Sequence, residues 1–283
     1  MKFKIFKKCV NLIRPWFVFG SIMRPVIPFQ VNLMYFKENL GKERQPNVGD
    51  LLSKIIFQFL LEYKGVKKLK LKKTIRFSFV GSVIQFLTGD SVIYGSGFLY
   101  ENVINHFSSK NLKLDVRAVR GPNTKRLLEQ SGYYVPEIYG DPAILLPIFY
   151  EPKIIRQTLK DFVVIPHWRK IEVYTKFKYP VLSPLTKDWA SFIDEICNSK
   201  LVISASLHGL IIAEAYGVPA ILLLDTEKND LFKYEDYYLS TGRKVFSTAT
   251  SVEEALKMEV PEVPDFKVMQ KKLLEAFPLD IFV

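Results

Sequence analysis

Apolar residues gather in short runs separated by polar stretches marked with glycine or proline, and the clearest example frames residues 201–224. Leu201 to Ala205 is short, apolar and β-branched, so it reads as a buried strand. Ser206-Leu-His-Gly209 follows as a turn, and an apolar helix is expected from about Leu210 to Tyr216. Gly217 stands where a left-handed C-cap belongs, and Pro219 stops the helix from continuing. Ala220 to Leu224 is then a second buried strand. This unit sets His208 just past the carboxyl end of a parallel strand and at the start of a helix. In open α/β sheets ligands bind at that place, and a helix N-terminus favours anions.

The same alternation runs through the chain. Val31 to Tyr35 predicts a first strand, and Asn47-Val-Gly-Asp50 opens a long apolar helix to about Glu62. Ile75 to Val80 and Val92 to Tyr94 predict further strands, the second running into the Gly95-Ser-Gly97 turn. Asp115 to Arg120 is another strand. It feeds Gly121-Pro-Asn-Thr124, where a helix to Gln130 begins at Pro122 or Asn123, with Gly132 beyond its end. Tyr139-Gly-Asp-Pro142 reads as a turn ordered by Asp141. After a polar passage at 151–160, Phe162 to Ile165 and Tyr179 to Leu182 predict strands. Trp189 to Asn198 and residues 266–276 predict helices. Strands alternating with helices of this length indicate parallel α/β units. The expected architecture is two Rossmann-like lobes with a central cleft, divided into residues 1–155 and 156–283.

Composition narrows the classes. With 283 residues, 48% of them hydrophobic, the chain can bury one large core or two ordinary ones. Two cysteines, Cys9 and Cys197, lie far apart in apolar surroundings, which suits reduced thiols in the cytoplasm and not a disulfide scaffold. Three scattered histidines and two cysteines give no zinc spacing, so no metal is expected. No uninterrupted apolar run is long enough to span a membrane. The N-terminal residues 1–23 imitate a signal peptide, but Arg14 and Pro15 split the apolar core and no clean small-residue cleavage site follows; the segment is read as retained.

The formal charge of +11 is unevenly placed. No acidic residue precedes Glu38, and Lys64 to Arg76 carries seven cations and no carboxylate. A solvated face and an anionic lipid surface are the two main readings of these stretches. Nucleic acid is not expected as a partner, since zinc spacing, a helix-turn-helix pattern and an aromatic-interleaved glycine motif are all missing.

Six motifs in order make the chain resemble the polysaccharide pyruvyl transferase family. They are Asn47-x-Gly49-Asp50, Gly95-Ser-Gly97, Val119-Arg-Gly-Pro-Asn-Thr124, Tyr139-Gly-Asp-Pro-Ala143, Ile165-Pro-His167 and Ser204-Ala-Ser-Leu-His-Gly209 with its Ala-Glu-Ala-Tyr-Gly-Val-Pro tail. The resemblance spans about Val31 to Leu224. It implies a fold like the two-lobed glycosyltransferase B architecture. It also implies transfer of a pyruvyl group from phosphoenolpyruvate, a co-substrate and not a bound cofactor, to a sugar as a cyclic ketal. The acceptor would belong to a cell-surface polysaccharide, free or lipid-linked, and a cytoplasmic protein would meet it at the inner face of the plasma membrane.

Such a transfer needs cations or aligned N–H groups for a phosphate and a carboxylate, and a group that brings a proton to a methylene carbon. His208 is the proton-transfer candidate; otherwise it caps and packs the turn. The helix start favours neutral imidazole, and a bound phosphate dianion favours the charged form. Arg120, Ser206, Gly209 and His167 are the donor-side candidates. Where the family carries arginine two residues before the histidine, this chain has Ser206, so His167, Arg169 or Lys170 would supply the missing cation. Asn47 and Asp50, with Gly95 and Gly97, are the acceptor-side candidates, though a plain helix cap and a tight turn explain them too. Glu214 either orients an arginine across the cleft or faces water. A nucleotide-sugar glycosyltransferase and a non-catalytic basic surface-binding protein are the rival classes.

Overall fold

A computed structural model of the chain describes residues 31–35, 46–66, 74–154, 159–224 and 231–282. The basic N-terminal segment with Cys9, Trp16 and Phe17, and residues 67–73 of the second basic run, lie outside the described residues, as does part of the polar passage at 151–160.

The architecture is α/β, with two four-stranded sheets that are parallel throughout. The first holds β1 (Val31–Met34), β2 (Ile75–Ser78), β3 (Ser91–Tyr94) and β4 (Leu114–Ala118) in sequential order. The second holds β5 (Val163–Ile165), β6 (Val202–Ser204), β7 (Ala220–Leu223) and β8 (Thr248–Ala249), again in order. The longer helices are α1 (Val48–Tyr63), α2 (Pro122–Gln130), α3 (Trp189–Cys197), α4 (Leu207–Ala215), α5 (Phe232–Ser240) and α6 (Lys267–Ala276). Among the described residues, no helix is long and apolar enough to cross a membrane.

Helix α1 starts where the sequence places it. The Asn47 side chain accepts the Gly49 N–H at 3.0 Å, and Asp50 sits in the first turn, where the helix dipole favours a carboxylate. Its buried face, Leu52, Ile56, Phe57 and Leu60, belongs to one continuous apolar core. That core runs from Leu33 and Phe77 of the first sheet through Ile193 and Ile211 to Val163 and Leu222 of the second. Cys197, at the end of α3, is part of it, and burial first and Asp194 second push its thiol up to about 12. Such a thiol is inert at neutral pH.

The chain does not keep its two halves apart. From the far end of the sequence, α6 returns to the first sheet, where the Tyr94 hydroxyl donates to the Leu273 carbonyl at 2.6 Å. Phe277 and Phe282 continue this packing against Phe57, with ring centroids 6.0 and 5.7 Å away. The segment Tyr179 to Leu182, expected as a strand, forms only a single bridge, between Val164 and Val181. Pro180 has no N–H to donate, so the ladder stops at two bonds, Val164 N–H to Pro180 O and Leu182 N–H to Val164 O. Helix α4 begins three residues earlier than expected, so His208 lies inside its first turn and not ahead of it.

Candidate active site

Loops that follow β2, β3, β5 and β6 converge with the start of α1 on a cleft of about 470 Å³. Its wall includes Asn47, Asp50, Ser82, Tyr100, His167, Trp168, Arg169, Pro184, Ser206, His208 and Lys233. The volume is that of an ordinary small-molecule site. Six of the residues expected from sequence therefore share one cavity: Asn47, Asp50, His167, Arg169, Ser206 and His208. Both sheets contribute, and the start of α1 is tied to the opposite wall by the Val48 N–H, which donates to the Pro184 carbonyl at 2.8 Å.

His208 stands at the centre of this junction, its side chain 14% exposed. A Cβ on Gly49 would come within 2.2 Å of its Nδ1, so only glycine lets the ring lie against the α1 backbone. A Cβ on Gly81, whose φ is +87°, would come within 3.4 Å of Cε1. The remaining nitrogen, Nε2, is buried without a hydrogen-bond partner and lies 3.6 Å from Oδ2 of Asp141. That carboxylate is fully buried. Its Oδ1 accepts the Ala143 N–H at 2.9 Å and its Oδ2 accepts the Gly81 N–H at 3.1 Å. The first bond is the Asx turn read from sequence; the approach to His208 is an added feature.

The turn that carries His208 is braced from within. The Ser204 hydroxyl accepts the Ser206 N–H at 3.0 Å, and the Tyr234 hydroxyl of α5 donates to the Ala205 carbonyl at 2.7 Å. Gly209 serves this seating: a Cβ there would fall 2.4 Å from Ser204 Oγ, so only glycine lets the helix start lie this close to the strand. Ser206 is the N-cap of α4 but makes no side-chain cap bond. The first N–H groups of a helix have no partner inside it, and Ser206, Leu207 and His208 are at the cleft wall.

Arg120 lies behind that wall. It is fully buried; its Nε donates to Asp236 Oδ2 at 3.0 Å, and its Nη2 to the Phe98 carbonyl at 2.6 Å. Nη1 donates to Ser82 Oγ, which does reach the cleft. The arginine fork expected to grip an anion is thus spent on internal partners and touches the cavity only through Ser82. Gly97 packs against the Arg120 guanidinium and Gly95 against Pro142, so both glycines fix the wall from behind.

Two cations line the cleft instead. The Arg169 guanidinium lies 4.8 Å from the Trp168 ring centre, and Lys233 Nζ 4.8 Å from that of Tyr234. Arg169 was among the sequence candidates; Lys170 is not part of the wall. Lys233 had no signal in the sequence, because α5 itself was not anticipated. On the α1 side, burial first and the Asp50 carboxylate second hold the Tyr35 hydroxyl above its ordinary range. Glu214 neither faces water nor orients an arginine across the cleft: it is buried, holds Arg243 through two bonds of 2.7 and 2.6 Å, and accepts the Tyr237 hydroxyl at 2.5 Å. This pair is not at the cleft.

Over 184 residues the chain is 28% identical to an uncharacterized protein, L143, of Acanthamoeba polyphaga mimivirus, an alignment of 61% of this chain. Over 160 residues, 53% of this chain, it is 27% identical to the succinoglycan biosynthesis protein ExoV of Rhizobium meliloti (strain 1021). The alignments span 62% and 48% of those relatives' own lengths. The family model for polysaccharide pyruvyl transferase matches residues 47–226, from the cap of α1 that meets the His208 ring to just past β7. With the ordered motifs, the shared cleft and more than half of its length matched, the chain belongs to the polysaccharide pyruvyl transferase family.

Proposed function

We infer that the chain transfers a pyruvyl group from phosphoenolpyruvate to two hydroxyls of a sugar, forming a ketal and releasing phosphate. The observation that carries this reading is the position of His208: a nearly buried imidazole at the open N-terminus of α4, backed by a carboxylate and facing a cavity that holds two further cations. The donor phosphate would lie at the α4 start, with Arg169 and Lys233 as counter-charges and Ser206 and His167 as hydrogen-bonding groups. Ser82, held by Arg120, would fix the opposite side of the phosphate or carboxylate.

His208 then passes a proton to the donor's methylene carbon, and C2 becomes electron-poor. A sugar hydroxyl adds to C2 and its proton returns to His208. The C2–O bond to phosphate breaks, a second hydroxyl adds, and its proton leaves with the phosphate. Asn47 and Asp50, beside the His208 ring, would receive the sugar, Asp50 by accepting hydrogen bonds from its hydroxyls. No cofactor takes part in this scheme. We place the acceptor in a cell-surface polysaccharide or its lipid-linked precursor, met at the inner face of the plasma membrane. The two-lobed likeness to the glycosyltransferase B architecture belongs to the same reading.

The test is purified full-length protein with phosphoenolpyruvate and a panel of nitrophenyl and lipid-linked sugars. Sugar-dependent phosphate release, with a pyruvate ketal on the product by mass spectrometry, is the expected result. Turnover of a nucleotide sugar without phosphoenolpyruvate would make the chain a glycosyltransferase, and sugar binding without turnover of any donor would make it a binding protein.

A further inference from the structure

The reading of His208 as the proton donor leaves one group unused, the Asp141 carboxylate. Burying an ionised carboxylate is unfavourable unless other groups compensate. Here two backbone N–H groups do so in part, from Gly81 and Ala143. Either bond can be explained as turn-making. Neither explains why Oδ2 also points at His208 Nε2, the ring nitrogen that is buried and has no partner. At 3.6 Å the two atoms are not hydrogen-bonded. Closing the gap by about 0.7 Å makes a charge-assisted bond, and catalytic hydrogen bonds commonly tighten in this way once substrate is bound.

We propose that Asp141 is the positioning residue of a carboxylate–imidazole dyad: it accepts Nε2–H of His208, fixes the tautomer, and leaves Nδ1 as the nitrogen that exchanges a proton with the substrate. Turning the ring over to exchange the two nitrogens is hindered on the Gly49 side, where the ring lies too close for even a Cβ to fit between. Other titratable groups face the ring across the cleft: Asp50 from α1, His167 and Arg169 from the loop after β5, and Lys233 from α5. Asp141 differs from all of them in being cut off from solvent.

The proposal rests on the functional reading above only for its kinetic consequences; its structural content is read without any substrate. The chain has three histidines, so 15N-labelled imidazoles give a small set of signals, assigned with His208→Gln and His167→Gln. In the unliganded wild-type protein the neutral His208 ring is expected in the Nε2–H form. In Asp141→Asn, where an amide N–H faces the ring in place of a carboxylate oxygen, the Nδ1–H form is expected to gain. If transfer is observed, the same variant should lower kcat by about 10- to 100-fold with little change in the donor KM. A purely structural Asp141 would lower stability and leave the tautomer in place. A wild-type ring in the Nδ1–H form overturns the proposal even if the Asn variant does not fold. An Nε2–H ring in a protein that transfers no pyruvate keeps the dyad and removes only the reaction assigned to it.

Discussion

Helices α2 and α4 have the same length, nine residues each, and each follows a parallel strand of its own sheet, yet their N-termini are finished in opposite ways. At α2 the cap residue is Gly121, which has no side chain to offer, and the protein supplies its own anion. Asp236, more than a hundred residues later on α5, accepts the Thr124 N–H at 2.9 Å and the Thr124 hydroxyl at 2.6 Å, and pairs with Arg120. At α4 the cap residue is Ser206, which makes no cap bond, and the start of the helix opens on the cleft. Both termini have the same need for negative charge. One is satisfied from inside and is structural; the other faces the cleft, where the proposed function sets an anionic ligand.

The largest effect should come from removing the side chain that turns the open terminus into chemistry. His208→Ala is expected to lower kcat for pyruvyl transfer by about 100- to 10,000-fold, the usual worth of a proton-transfer group. The fold should survive, since Ile211 and Ile212 keep α4 in the core. Steady-state kinetics beside a thermal melt checks both halves. Activity within a few fold of wild type would reduce α4 to a second structural terminus.

Breaking the closed terminus should cost stability and not chemistry alone. Asp236→Ala strands a fully buried Arg120 and two donors of Thr124, and removing one partner of a buried pair costs about 3–5 kcal/mol. Urea unfolding measures it. A loss under about 1 kcal/mol would mean that water reaches the pair. The arrangement also explains why Arg120 was misplaced by sequence reasoning. An arginine just before a helix start is well set to grip a ligand; its partner, however, is brought to it only by α5. That helix, Phe232–Ser240, gave no clear period, because Tyr234, Tyr237 and Tyr238 are buried while Tyr234 and Asp236 meet different neighbours.

By contrast, the unit around His208 was legible almost residue by residue. Its strands are short apolar runs, broken only by Ser204 at the end of β6. Gly217 adopts a φ of +80° and the chain closes with Gly217 N–H to Glu214 O and Val218 N–H to Ala213 O, as the glycine–proline spacing suggested. The start of α4 was read three residues late because glycine is a poor helix former, and Gly209 is required there for contact with Ser204. Local pattern identified the histidine, the turn and the strands. It could not identify Asp141, Lys233 or Ser82 as its neighbours, since each comes from a distant loop or helix and only packing assembles them.

The smallest effect in energy is also the most direct test of the contrast between the two termini. Ser206→Asp gives α4 the internal anion that α2 already has. The residue sits at φ −97° and ψ 125°, extended backbone that suits an N-cap aspartate. Favourable interaction with the helix dipole should stabilise the protein by about 0.3–1 kcal/mol, read as a small rise in the urea midpoint. The same carboxylate would occupy the position we propose for the donor's phosphate and repel it. The apparent donor constant should therefore rise by about tenfold or more, as expected for a difference of about 1.4 kcal/mol or more, while acceptor binding stays near wild type. Asparagine at this position separates charge from shape: it can cap the helix without repelling an anion, so Ser206→Asn should share the stability gain and keep most of the donor affinity. If Ser206→Asp leaves the donor constant unchanged, the α4 terminus is not where the phosphate lies, and the cations Arg169 and Lys233 must hold it elsewhere in the cleft.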